Sequence, residues 1–137
     1  FQVVAHHFAW RHASETGDSE GEQRHRSALL DRIEQAPEPA QAGLLLDLST
    51  QRSLSGDAVE ARALYERVDR KGAILDPHAD PLAQAALAAA EGDVTAARTL
   101  LDRAEALLPR AMDPGTMAFD RSRIGQVREL ASSDGAP

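Results

Sequence analysis

A short motif returns three times along this chain, at intervals that each suit one helix–turn–helix unit. Leu29-Leu30-Asp31-Arg32-Ile33-Glu34, Leu64-Tyr65-Glu66-Arg67-Val68-Asp69 and Leu100-Leu101-Asp102-Arg103-Ala104-Glu105 begin 35 and 36 residues apart. Eight residues before each copy stands a glycine followed by an acid: Gly21-Glu22, Gly56-Asp57 and Gly92-Asp93, with Gly17-Asp18 competing for the first turn. Such a period points to stacked repeats, because one unit of this size cannot bury its apolar face alone. The glycine permits the left-handed backbone that ends one helix, and the acid lies at the positive end of the next. Beyond the acid, apolar residues recur at helical spacing, as in Ala58, Ala61, Leu64, Tyr65 and Val68, or Ala96, Ala97, Leu100, Leu101 and Ala104.

This pattern predicts an all-α fold with helices at about 2–15, 22–35, 39–54, 57–71, 80–91, 93–108 and 115–131. Composition agrees: hydrophobic residues make up 42% but aromatics only 4%, so the core must come from Leu, Ala, Val and Ile. Pro39, Pro81 and Pro114 fall at first helical positions, the last two behind the cap candidates Asp80 and Asp113. Pro37, Pro77 and Pro109 fall in connections. Met117, Ile124, Val127, Leu130 and Ala131 share one stripe of the seventh helix, which by position covers the open end of the stack. Residues 1–131 thus read as one domain of antiparallel hairpins (about 2–35, 39–71 and 80–108) with a capping helix at about 115–131. Residues 132–137 read as a polar tail or linker, and a first residue other than Met suggests a piece of a longer protein.

On these residues the units resemble tetratricopeptide repeats. The best copy, about 78–109, has small Ala85 in its first helix, Gly92-Asp93 in the turn, Ala97 and Ala104 flanking Leu101, and Pro109 to close. The copy at 42–73 keeps Leu45, Leu48, Ser49, Gly56, Ala61 and Tyr65, but has Val68 where a small residue is usual. The first keeps Trp10, Ala13, Ser14, Gly21, Leu30 and Ile33, with Arg26 at an alanine position. The resemblance implies a short solenoid acting as a protein- or peptide-binding scaffold, often within larger bacterial regulators. Fourteen of the fifteen basic residues are arginine, the bias of a high-GC genome such as an actinobacterium's. The resemblance further implies that first helices line a concave groove. That assigns Phe8, Arg11 and Glu15; Leu46, Thr50 and Ser53; and Leu82, Ala86, Ala89 and Ala90 as partner-binding. The groove would be largely apolar. With Arg11 as its only cation, it lacks the basic clamp of chaperone-binding members.

Other classes have less behind them. The net charge is −7 with signs interleaved, so no basic stripe suggests nucleic acid. The longest apolar run, Ala85–Ala90, is too short to span a membrane, and the chain contains no cysteine; a cytoplasmic location is expected. His6, His7 and His12 lack the three- or four-residue spacing of a helical metal pair and read as surface or hairpin-interface residues. Asp76-Pro77-His78-Ala79-Asp80 reads as turn and cap, so no metal or other cofactor is expected. The periodic acids around Arg32, Arg67 and Arg103 read as a solvated, salt-bridged face. Trp10 and Phe8 read as core. An interaction module is the leading expectation, its partner a protein, a peptide or the rest of its own chain. The rivals are a helical enzyme domain using one of the N-terminal histidines and a structural spacer or dimerisation unit.

Overall fold

The computed structural model describes residues 2–111 and 113–134. They form seven α-helices and no strand: α1 Gln2–Thr16, α2 Ser19–Asp31, α3 Glu38–Leu54, α4 Ala58–Glu66, α5 Ala79–Ala90, α6 Val94–Leu107 and α7 Pro114–Asp134. Short 3-10 turns at Ile33–Gln35 and Leu108–Arg110 extend α2 and α6. The expected all-α class is therefore observed. In sequence order α1 packs on α2, α3 on α4 and α5 on α6, while α3 also packs on α5 and α7 lies against α6, α5 and α3.

One device opens the second helix of each pair. Gly17, Gly56 and Gly92 have φ of +73°, +88° and +85°, where L side chains are disfavoured. The aspartate that follows caps the next helix: Asp18 accepts from the Gly21 N–H at 2.9 Å, Asp57 from Glu60 at 3.0 Å and Asp93 from Ala96 at 3.1 Å. The first turn is therefore Gly17-Asp18 rather than Gly21-Glu22. Aspartate has the shorter side chain that folds back to the helix N-terminus. Gly21 leaves room for this cap, since a Cβ there would lie 2.2 Å from Asp18 Oδ2.

The second correction concerns α4, which ends at Glu66 rather than near residue 71. Asp69 accepts from the Lys71 N–H at 3.0 Å and Gly72 turns to φ +71°, a local arrangement that competes with the helix. The connection that results is fastened at both ends. Ile74 donates its N–H to the Pro39 carbonyl (3.0 Å), and Arg70 meets Asp80 at 2.6 Å beside the Tyr65 hydroxyl. Asp80 is thus a hub in the first turn of α5 rather than its cap, which is His78. Although burial raises its carboxyl, hydrogen bonds from Arg70, Gln84 and Tyr65 hold it at about 2. Asp113 does cap α7, accepting from the Thr116 N–H at 2.8 Å.

The core divides into two clusters. Trp10, Leu29, Ile33, Leu45, Leu48 and Leu64 knit α1 to α4 together. Leu82, Ala86, Ala89, Ala97, Leu101 and Ala104 from α5 and α6 meet Ile124, Val127 and Ala131 of α7. The small Ala97 and Ala104 are fully buried, as their spacing predicts. Arg26, the residue out of pattern, is buried in an ion pair with Glu22 on the same helix.

Candidate functional site

The residues assigned to the concave groove separate into two groups. Leu46, Thr50, Ser53, Leu82, Ala86 and Ala89 are buried; only Phe8, Arg11, Glu15 and Ala90 retain solvent contact. The packing of α3 on α5 and of α5 on α6 contributes, and the apolar stripe of α7 shares one buried cluster with Leu82, Ala86 and Ala89. At these six positions the apolar face lies inside the packed helices rather than on open surface.

Arg123 holds α7 in that position. Its guanidinium donates to Asp47 Oδ1 (3.2 Å), to the Asp47 carbonyl (2.6 Å) and to Asp120 Oδ1 (3.4 Å), while its side chain is only 2% exposed. Asp120 Oδ2 lies 2.6 Å from Nε2 of the fully buried His78, and Asp47 Oδ2 lies 3.3 Å from Nε2 of His7. Burial pushes the Asp47 carboxyl up, but the His7 hydrogen bond and the Arg123 charge outweigh it and hold it below the ordinary aspartate value. A chain of polar contacts thus runs from α1 through α3 and α7 to the start of α5.

Above this chain lies a cleft of about 620 Å³, enclosed by α1, the first half of α3, the connection after α4 and the start of α7. Its walls are mainly apolar, including Leu44, Leu75, Ala79 and Phe119, with His7, Asp47 and Asp120 at the polar end. The Arg11 guanidinium sits 4.4 Å over the Phe119 ring and donates to the Gly115 carbonyl. Trp10 is buried behind the wall, stacked on His7 at 5.9 Å and edge-on to Phe119 at 6.4 Å. Phe8 and Ile74 flank the cleft, 63% and 65% exposed. Of the two aromatics read as core, Trp10 is core and Phe8 is not.

His6 Nδ1 lies 3.2 Å from His25 Nδ1 across α1 and α2, and His12 is exposed. No cluster of three or more metal-ligating side chains occurs among the described residues. The acids of the repeated motif are exposed; Glu105 accepts from Arg128 of α7 at 2.7 Å, and Glu66 pairs with Arg62 within α4. No described helix is long and apolar enough to cross a membrane.

Sequence reasoning placed Phe8 and Arg11 at the site but missed Asp47, Ile74, Phe119, Asp120 and Arg123. The available signal was charge out of place: Asp47 interrupts Leu44-Leu45-Leu46-Asp47-Leu48, and Asp120 and Arg123 flank the apolar stripe of α7. No protein-family model, curated protein or solved structure matches this chain.

Proposed function

We propose that the chain is an interaction module of tetratricopeptide-like architecture, with α1–α6 as three stacked hairpins and α7 as their terminal helix, and that it binds a protein or peptide through the cleft beside α7. The observation that carries this reading is the position of Phe8 and Ile74. Two large hydrophobics, each more than half exposed, stand at one cleft of about 620 Å³. That volume lies within the roughly 300–1,000 Å³ of ordinary ligand pockets, and exposed apolar residues grouped around a pocket mark recognition sites. The module would serve as a scaffold in a larger bacterial regulatory protein, and a cytoplasmic setting suits a cysteine-free acidic chain.

The test compares proteins captured by immobilised wild type, by Phe8→Ser/Ile74→Ser and by Val59→Ser, with helicity checked for each. Val59 is 85% exposed on α4, away from the cleft. The double variant should lose the partners that wild type and Val59→Ser retain. Equal capture by all three would reject the cleft as the binding surface.

A further inference from the structure

Two adjacent histidines of α1 face partners of different chemistry. His6 turns to α2, where its Nδ1 lies 3.2 Å from Nδ1 of His25, with the ring centroids 5.4 Å apart and the planes tilted by 46°. His7 turns to α3, where its Nε2 lies 3.3 Å from Asp47 Oδ2. One contact joins imidazole to imidazole, the other imidazole to carboxylate. Added protons therefore act on them with opposite sign.

A hydrogen bond between two Nδ1 atoms needs one nitrogen that carries a proton and one that is bare. A first added proton still leaves such a pair, but a second leaves two N–H donors and two like charges facing each other at 3.2 Å. In the unfolded chain both rings take protons independently, so this pair loses stability as the pH falls through the histidine range. At His7 a proton instead turns the contact with Asp47 into a charge-assisted pair, so stability there is gained as the pH falls. Asp47 stays ionised meanwhile. Burial raises its carboxyl, but the His7 hydrogen bond and the Arg123 charge outweigh it and hold it below the ordinary aspartate value. The neighbouring charges leave the contrast standing. On α2, Glu22 and Arg26 flank His25 but are paired with each other, and Arg26 also lies 3.9 Å from Glu60 of α4. Near His7 stand Arg11 of α1 and Asp76 of the connection before α5, with Asp120 and Arg123 of α7, of which Asp120 is bonded to His78.

We infer that α1 is a pH-responsive wall: mild acid loosens its contact with α2 at His6–His25 and tightens its contact with α3 at His7–Asp47. Because α1 carries Phe8 and Arg11, the change resets one side of the cleft, whatever occupies it. The device rests on the two contacts alone and not on the reading of the cleft as a recognition site.

Two variants keep the hydrogen-bonding shape and remove the titration. His25→Asn places an amide where Nδ1 stood, and His7→Gln places one where Nε2 stood. Urea unfolding compares both with wild type at about pH 7.5 and about pH 5.5, on either side of the ordinary histidine value. Over that interval His25→Asn should gain about threefold to fivefold in folding equilibrium constant relative to wild type, and His7→Gln should lose as much, the scale of one partly exposed charge pair. A packing loss in either variant is the same at both pH values and drops out of the comparison. Imidazole 15N spectra at the higher pH give a second readout, in which neutral His6 and His25 should show opposite tautomers, one with the proton on Nδ1. Bare Nδ1 atoms on both rings, or a pH dependence parallel to wild type for either variant, would overturn the inference.

Discussion

Replacing Arg123 by methionine keeps the aliphatic bulk of the side chain but removes the guanidinium that joins α7 to α3. That guanidinium is 2% exposed and contacts Asp47 through its side chain and carbonyl, and Asp120 through Oδ1. Breaking one partner out of a buried ion pair costs about 3–5 kcal/mol, chiefly because the abandoned charge stays buried. Here the abandoned carboxylates are partly provided for. Asp47 is 29% exposed and keeps His7, whereas Asp120 is 5% exposed and keeps His78. The loss should therefore fall at the lower end, about 3 kcal/mol. Urea unfolding followed by far-UV circular dichroism reads it as a lower midpoint with an unchanged slope. Arg128→Met serves as the control. Its side chain is 44% exposed against Glu105 and should contribute less than about 1 kcal/mol. If Arg123→Met also costs less than about 1 kcal/mol, the network behaves as a surface pair, and the reasoning that α7 is held by a buried charge is refuted.

Other perturbations test the elements around it. Gly92→Ala should destabilise by about 1 kcal/mol in the same unfolding assay; its φ is +85° and nothing lies within 4 Å of the added carbon, so the cost is conformational. Ala97→Leu and Ala104→Leu, both fully buried, should each cost about 1–3 kcal/mol by overpacking, with the half-buried Ala58→Leu milder; equal tolerance at all three would mean that the wrong face is buried. Asp80 titrates at about 2 when folded against an ordinary 3.8, so its contribution is complete above pH 3.8 and disappears as the pH falls through about 2. The stability difference between wild type and Asp80→Asn should shrink over that acid interval, and a difference that is flat with pH would contradict the assignment of the Arg70 contact.

The helices were legible because the evidence for them is local. Gly56-Asp57 and Gly92-Asp93 each carry a turn and a cap in two adjacent residues, and the stripe of Met117, Ile124, Val127, Leu130 and Ala131 shows which face of α7 packs. The first turn was misplaced because Gly21, four residues after Gly17, also fits the glycine spacing, although its role is to admit the Asp18 cap. The site was less legible for a different reason. The cleft assembles residues far apart in sequence, with Arg123 and Asp47 separated by 76 positions, and no periodicity links them. The same α7 that reads as a plain terminal helix shares a core with the expected groove residues Leu82, Ala86 and Ala89 and lines a recess near its N-terminal end. Whether a repeat surface is open depends on such a long-range contact, which a count of helical faces does not contain.

The proposed use of the cleft is tested most directly by photo-crosslinking in the native host. Benzoyl-phenylalanine is introduced separately at Phe8, Ile74, Val59 and Ala90, and each crosslinked product is identified by mass spectrometry. Phe8 and Ile74, which both line the cleft, should trap the same peptide of one partner, while Val59 on α4 and Ala90 at the end of α5 should not trap it. A partner crosslinked from Ala90 or Val59 but not from Phe8 and Ile74 would place recognition elsewhere on the helices and contradict the assignment of the cleft.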